Sequence, residues 1–116
     1  MEVLVIEDNE LNLQLLQAIL AANKITYDFA TAGTEGVRKA LQHPYAVILM
    51  DLQLPDIDGF TALTQIRSVS PVPVIAITGN ATVSDEVRAN AAGFHTFIRK
   101  PYRIDDLLDA IRPFLR

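Results

Sequence analysis

Polar side chains of four kinds interrupt the chain where its apolar runs end. Glu7 and Asp8 follow VLVI, Asp51 follows AVILM, Thr78 follows VIAI, and Lys100 comes shortly after TFI. If these runs are parallel strands, all five groups converge at one end of a sheet. Three carboxylates in such a place repel one another and raise each other's pKa, a cost that a hard divalent cation bound through oxygen removes. Mg²⁺ suits two or three acids better than a full protein cage would, because it keeps several waters and accepts phosphate oxygens as well. A carboxylate beside bound Mg²⁺ and an ammonium is a feasible phosphoryl acceptor, since both cations offset charge on the group in transfer. On this reading Asp51 is the nucleophile and phosphorylation site, Asp8 a direct metal ligand, and Glu7 a second acid acting directly or through water. Lys100 is the counter-charge on one phosphoryl oxygen and Thr78 the hydroxyl donor to another. The acyl phosphate so formed is hydrolytically labile, so the mark would be temporary.

Short β-branched apolar runs alternate with amphipathic segments five times over, the pattern of a parallel sheet with crossover helices. Strands are expected at Val3–Ile6, Thr26–Ala30, Ala46–Met50, Val74–Ile77 and Thr96–Ile98. AVILM and VIAI are apolar without alternation, as in central strands covered on both faces. For five strands ordered 2-1-3-4-5 the winding reverses between strands one and three, and the ligand crevice lies there, outside the carboxyl ends. Asp8 and Asp51 would face each other across it. Leu11/Leu15/Ile19, Val37/Leu41, Phe60/Leu63 and Ile104/Leu107/Leu108/Ile111/Leu115 recur at helical spacing and are expected as core stripes. The fourth helical segment, Thr82–Ala92, holds only Val83 and Val87 as larger aliphatics, which makes it a weakly anchored candidate for a moving part. Thr34 and Thr82 are expected N-caps, Gly33 and Gly93 suit turns or helix ends, and Pro71 and Pro73 flank the start of strand four.

The 116 residues make room for one domain, 1–116, with a core but no second domain. Half are hydrophobic and 21% charged, an ordinary globular balance. A net charge of -4, with Lys and Arg scattered, argues against direct nucleic-acid binding. No apolar stretch approaches the roughly 20 residues that cross a bilayer, so no membrane insertion and a cytoplasmic address are expected. There is no cysteine, which excludes disulfides and thiolate metal sites.

The segments VLVIEDNELN, VILMDLQLPDIDGF, VIAITGNA and FIRKP resemble the receiver domains of two-component response regulators and hybrid sensor histidine kinases, and the resemblance covers essentially the whole chain. Four segments in this order and spacing are far more specific than any one alone. The resemblance implies an α/β flavodoxin-like fold, a (βα)5 doubly wound parallel sheet of order 2-1-3-4-5. It implies transfer of a phosphoryl group to Asp51 from a phosphohistidine of a histidine kinase or histidine phosphotransfer protein, with Mg²⁺ held by Glu7, Asp8, Asp51 and the Gln53 carbonyl. The Lys100–Pro101 peptide is expected to be cis. Thr78 and Phe97 are the implied switch pair, and Gln53 and Asn80 resemble positions that tune hydrolysis. No substrate turnover beyond self-phosphorylation from phosphodonors and autodephosphorylation at Asp51 is implied. The expected readout is the surface of helix four, strand five and helix five, recognised by a downstream effector protein or an attached output domain. The EDNELN form is similar both to receivers at the ends of hybrid kinases and to stand-alone regulators.

Simpler roles compete at each position. Asp51 alone would read as a turn or cap aspartate, Thr78 as a strand end and Phe97 as a core aromatic. Convergence with Glu7, Asp8 and Lys100 is what promotes them. Asp58-Gly59 reads structurally, Asp58 capping helix three and Gly59 permitting close approach. His43 and His95 lack ligand-spaced partners, and Asp105, Asp106 and Asp109 suit the start of the last helix. A flavin or nucleotide module of the same architecture would cradle phosphate after strand one with Gly or Ser/Thr backbone, where this chain offers the acids of EDNELN. An aspartyl phosphatase resembles a DxDx pattern with a cap domain, and neither is present.

Overall fold

Strand alternation decides which side chains can meet at the end of this sheet. The computed structural model describes residues 2–79 and 83–115, with backbone alone for 83–85. The order of elements is β1 (Val3–Ile6), α1 (Glu10–Ala22), β2 (Tyr27–Ala30), α2 (Gly33–Gln42), β3 (Val47–Asp51), α3 (Gly59–Arg67), β4 (Val74–Thr78), α4 (Val83–Ala92), β5 (Thr96–Arg99) and α5 (Ile104–Ile111), closed by a 3₁₀ turn at Arg112–Phe114. All strands pair in parallel in the order 2-1-3-4-5, the flavodoxin-like arrangement expected. Strands β3, β4 and β5 each end one residue later than the sequence suggests, and β2 and β3 begin one residue later, at Tyr27 and Val47. Asp51 is the last residue of β3, paired with Ile77, and Thr78 is the last of β4, paired with Arg99.

Two cores lie on opposite faces. Val3, Val5, Val47, Leu49, Ile75 and Ile77 pack with α1 and α5 residues such as Leu16, Leu20, Leu107 and Ile111. Leu4, Ile6, Ile48, Met50, Val74 and Ala76 pack with Val37, Ala40, Leu63, Ile66 and Ala89 of α2, α3 and α4. Burial on both faces is why β3 and β4 are apolar throughout. The edge strand β2 is guarded by Lys39, whose Nζ donates to the Phe29 carbonyl at 2.6 Å and to Asp28 at 3.1 Å.

Several expected stripes are corrected. In α1 the core takes Leu13, Leu16, Ile19 and Leu20, while Leu11 is 76% and Leu15 49% exposed. Leucines surround this helix, so two faces share helical spacing and periodicity alone does not choose between them. Leu41 and Ile104 are likewise exposed, outside the faces formed by Val37 with Ala40 and by Leu107, Leu108 and Ile111. In α2 the buried face is made of small residues: a Cβ on Gly36 would lie 2.5 Å from Ile6 Cδ1, so glycine lets the helix close on β1. Thr34 is not the N-cap of α2. Ala32 holds that position and offers no side-chain bond. Asp58 does cap α3, accepting from the Phe60 amide at 2.8 Å, and Gly59 does allow the Leu52 contact. Gly93 turns the chain after α4 at φ 108°, as does Lys24 after α1 at φ 59°. Thr82 lies outside the described residues. None of the described helices is long and apolar enough to cross a membrane.

Candidate functional site

Side chains two apart on a strand share a face. Glu7 therefore continues the row of Val3 and Val5, Asp51 that of Val47 and Leu49, and Lys100 that of Ile98, so all three emerge on the α1/α5 side at the carboxyl ends. The Lys100–Pro101 peptide is cis, as the resemblance implies. Lys100 Nζ donates to Glu7 Oε1 at 3.0 Å and to Asp51 Oδ2 at 3.1 Å, one ammonium bridging two carboxylates. The remaining Asp51 oxygen, Oδ1, accepts from the Gln53 amide at 2.8 Å. Among the described residues the buried polar side chains are Glu7, Asp51 and Thr78, all of them expected site residues.

Asp8 is exposed at the rim, yet carboxylate oxygens of Glu7, Asp8 and Asp51 lie within 4.8 Å of one another. The crowding expected from sequence is present but falls unequally. Burial first, then the neighbouring Asp51, raises the Glu7 carboxyl from 4.5 to about 7. Burial would raise Asp51 too, but contact with the Glu7 carboxyl, the Gln53 amide and Lys100 together hold it below its ordinary value. Burial works against the charge of Lys100 as well, and the two carboxylates overcome it and raise its pKa. In the metal-free protein Glu7 is thus the acid that takes the proton near neutral pH, and Asp51 stays ionised.

Among the described residues, Glu7 Oε2 is buried without a hydrogen-bond partner. A lone buried carboxylate oxygen at the edge of an all-oxygen, acid-rich cluster fits a hard cation, so the residues present suit Mg²⁺. The hollow at the site is small, about 10 Å³, lined by Glu7, Asp51 and Lys100 with Asn12, Leu16 and Tyr102. Tyr102 escaped the sequence reading, although it lies two residues beyond Lys100. Burial and the nearby Glu7 charge push its phenol up to about 12.

Thr78 stands one strand away on the opposite side parity, and its carbonyl accepts the Lys100 amide at 2.8 Å. Phe97, paired with Ala76, packs half-buried in the α2/α3/α4 layer that Thr78 also faces. Gln53 is exposed on the β3–α3 loop. Asn80 lies outside the described residues. His43 and His95 are both exposed and edge-packed on Tyr45 and Phe114.

The sequence model of the response regulator receiver domain matches residues 3–112. The chain belongs to this family. A receiver domain of two-component systems accounts for the fold, the paired acids and the bridging lysine together. The transcriptional regulatory protein HprR of Escherichia coli is 33% identical over 116 residues, which is all of this chain and 52% of HprR. The chain thus spans about half the length of such curated relatives. Among solved structures, the receiver domain of sensor histidine kinase PA1611 from Pseudomonas aeruginosa superposes with a TM-score of 0.89 at 32% identity, covering 97% of this chain and 95% of that one. That structure has a magnesium ion coordinated in its active site cleft. The receiver domain of Ssk1 from Saccharomyces cerevisiae, co-crystallised with the histidine phosphotransfer protein Ypd1, matches with a TM-score of 0.89 at 30% identity over 98% of this chain and 88% of that one.

Proposed function

We propose that Asp51 accepts a phosphoryl group from a phosphohistidine of a histidine kinase or phosphotransfer protein, and that this controls a surface read by an effector protein or output domain. The observation that carries the reading is the Lys100 ammonium, 3.0 Å from Glu7 and 3.1 Å from Asp51 in a buried acid cluster. In the transfer, the phosphorus–nitrogen bond of the donor breaks as a phosphorus–oxygen bond forms to an Asp51 carboxylate oxygen. The imidazole leaves with its electron pair. Glu7, Asp8 and Asp51, with the Gln53 carbonyl, would hold Mg²⁺, which when bound supplies positive charge against the anionic oxygens of the group in transfer. Lys100 is already poised to move from Asp51 to a phosphoryl oxygen, since its second partner, Glu7, keeps it in place. The Thr78 hydroxyl would donate to another oxygen, and Phe97 would follow Thr78 through their common layer. Water later attacks phosphorus, releasing inorganic phosphate and restoring the carboxylate, with Gln53 and Asn80 setting the rate.

The hollow beside Asp51 has room for about one water, so the phosphoryl group and its donor must approach from the open rim. Leu11 and Leu15 stand exposed on α1, and Leu15 lines a groove with Asn12, Lys100, Pro101 and Tyr102 beside the site. This apolar face suits a docking protein. Arg99 of β5 pairs with Glu86 of α4 at 2.7 Å, and Val87 and Ile104 are exposed, which supports the α4–β5–α5 surface as the readout.

Incubation with acetyl phosphate and Mg²⁺ should add one phosphoryl group to the protein and none to Asp51→Asn, as read by intact mass. Stoichiometric labelling of the variant would show the acceptor to be another residue.

A further inference from the structure

The β3–α3 loop, residues 52–58, runs from the acceptor strand to the cap of α3 and carries Gln53. Its near end is tied at the site, where the Gln53 amide donates to Asp51 Oδ1 at 2.8 Å. Its far end is tied to a different helix. Asp56 Oδ1 accepts from the Gly33 amide at 2.8 Å, and Oδ2 accepts from the Thr34 amide at 2.9 Å and the Thr34 hydroxyl at 2.7 Å. These are the first two residues of α2, whose own N-cap position is filled by Ala32. Helix starts leave amides without intrahelical partners and carry partial positive charge, so a carboxylate there answers both needs. Here the carboxylate is donated by a segment more than twenty residues away.

Close packing at the same point makes the attachment more than a surface bond. A Cβ on Gly33 would meet Ile57 Cγ2 at 2.0 Å and Leu54 Cδ1 at 3.1 Å, so three loop residues converge on the first residue of α2. Pro55 stiffens the stretch between them. The loop is therefore held at Asp51 through the Gln53 amide and at α2 through Asp56, so the peptide that carries the Gln53 carbonyl lies between the two ties.

We infer that Asp56 is a positioning residue: by clamping the β3–α3 loop onto the start of α2, it fixes the Gln53 backbone where its carbonyl can serve the metal, and so sets the Mg²⁺ affinity of the receiver. This rests on the proposed metal site. Asp56 touches neither metal nor phosphoryl group, and it acts through the loop alone.

Mg²⁺ binding measured by calorimetry and by the NMR shift of the Gln53 amide tests it. Asp56→Ala should weaken Mg²⁺ binding on the order of fivefold, the size of a lost cap or supporting contact, and Asp56→Asn, which keeps one acceptor, should fall between. Asp56→Ala/Ala32→Asp separates positioning from helix stability, because it gives α2 a cap of its own while leaving the loop untied; Ala32 already has the extended backbone of a cap, at φ -138° and ψ 151°. The expected result is that this double variant binds Mg²⁺ as weakly as Asp56→Ala. Recovery of parental affinity by the double variant would overturn the inference, as would Asp56→Ala and Asp56→Asn both binding within twofold of the parent. If the parent itself binds no Mg²⁺ at millimolar concentration, the metal site fails and this inference fails with it.

Discussion

Glu7 and Asp51 are both buried acids within reach of one ammonium, yet their environments drive them in opposite directions. Burial first and then Asp51 raise Glu7, while the Glu7 carboxyl, the Gln53 amide and Lys100 together outweigh burial at Asp51; among the described residues one oxygen of Glu7 has no hydrogen-bond partner. With Glu7 raised to about 7 from 4.5, the native state binds more protons than the unfolded chain between those values. Stability from this group is fully present below about pH 4.5 and is lost as pH rises through about 7. In chelator, unfolding free energy should therefore fall on the order of 2 kcal/mol from pH 5 to 8, and Glu7→Gln should remove most of that slope. Denaturant titrations across this range check it, and an unchanged slope in Glu7→Gln would assign the effect elsewhere. Acids with lowered pKa, Asp28, Asp51 and Asp56, act oppositely: they stabilise above the unfolded carboxylate range, and that contribution fades as the solution becomes more acidic. The convergence of acids and lysine was legible in the sequence because each sits at a strand end. Its inequality was not, since it depends on which oxygen meets a backbone amide.

Helix α1 shows where periodicity stops being informative. Leu11, Leu13, Leu15, Leu16, Ile19 and Leu20 give two faces with helical spacing, and only the sheet decides that 13, 16 and 20 turn inward with 19. Truncation distinguishes the faces. Leu20→Ala should cost about 2–5 kcal/mol, whereas Leu11→Ala should stay within about 0.5 kcal/mol. Comparable losses at both would mean that α1 is rotated from the orientation described. The strands were read almost to the residue because uninterrupted apolar runs have few alternatives in a covered sheet. The start of α2 departs from the sequence expectation for the reverse reason: its capping group, Asp56, arrives from another loop, and no local pattern around Thr34 announces it. Asp58, which caps its own helix from the adjacent position, was read correctly.

Across the whole molecule, folding brings Asp51 to Glu7 and Asp8 from a distant stretch of the chain, so Mg²⁺ should stabilise the native state by linkage. At a hundredfold excess over its dissociation constant the gain is about 2.7 kcal/mol, visible as a rise of several degrees in the thermal midpoint. Replacing Asp51 by Asn should cut that rise sharply at the same Mg²⁺ concentration, and an equal rise in both would place the ion outside the cluster. The hollow beside Asp51 has room for about one water. If Asp51 takes its phosphoryl group from a donor protein as proposed, a space this small cannot tell one sender from another, and the choice between senders falls to the outer contour around it, where Leu15, Pro101 and Tyr102 form a groove.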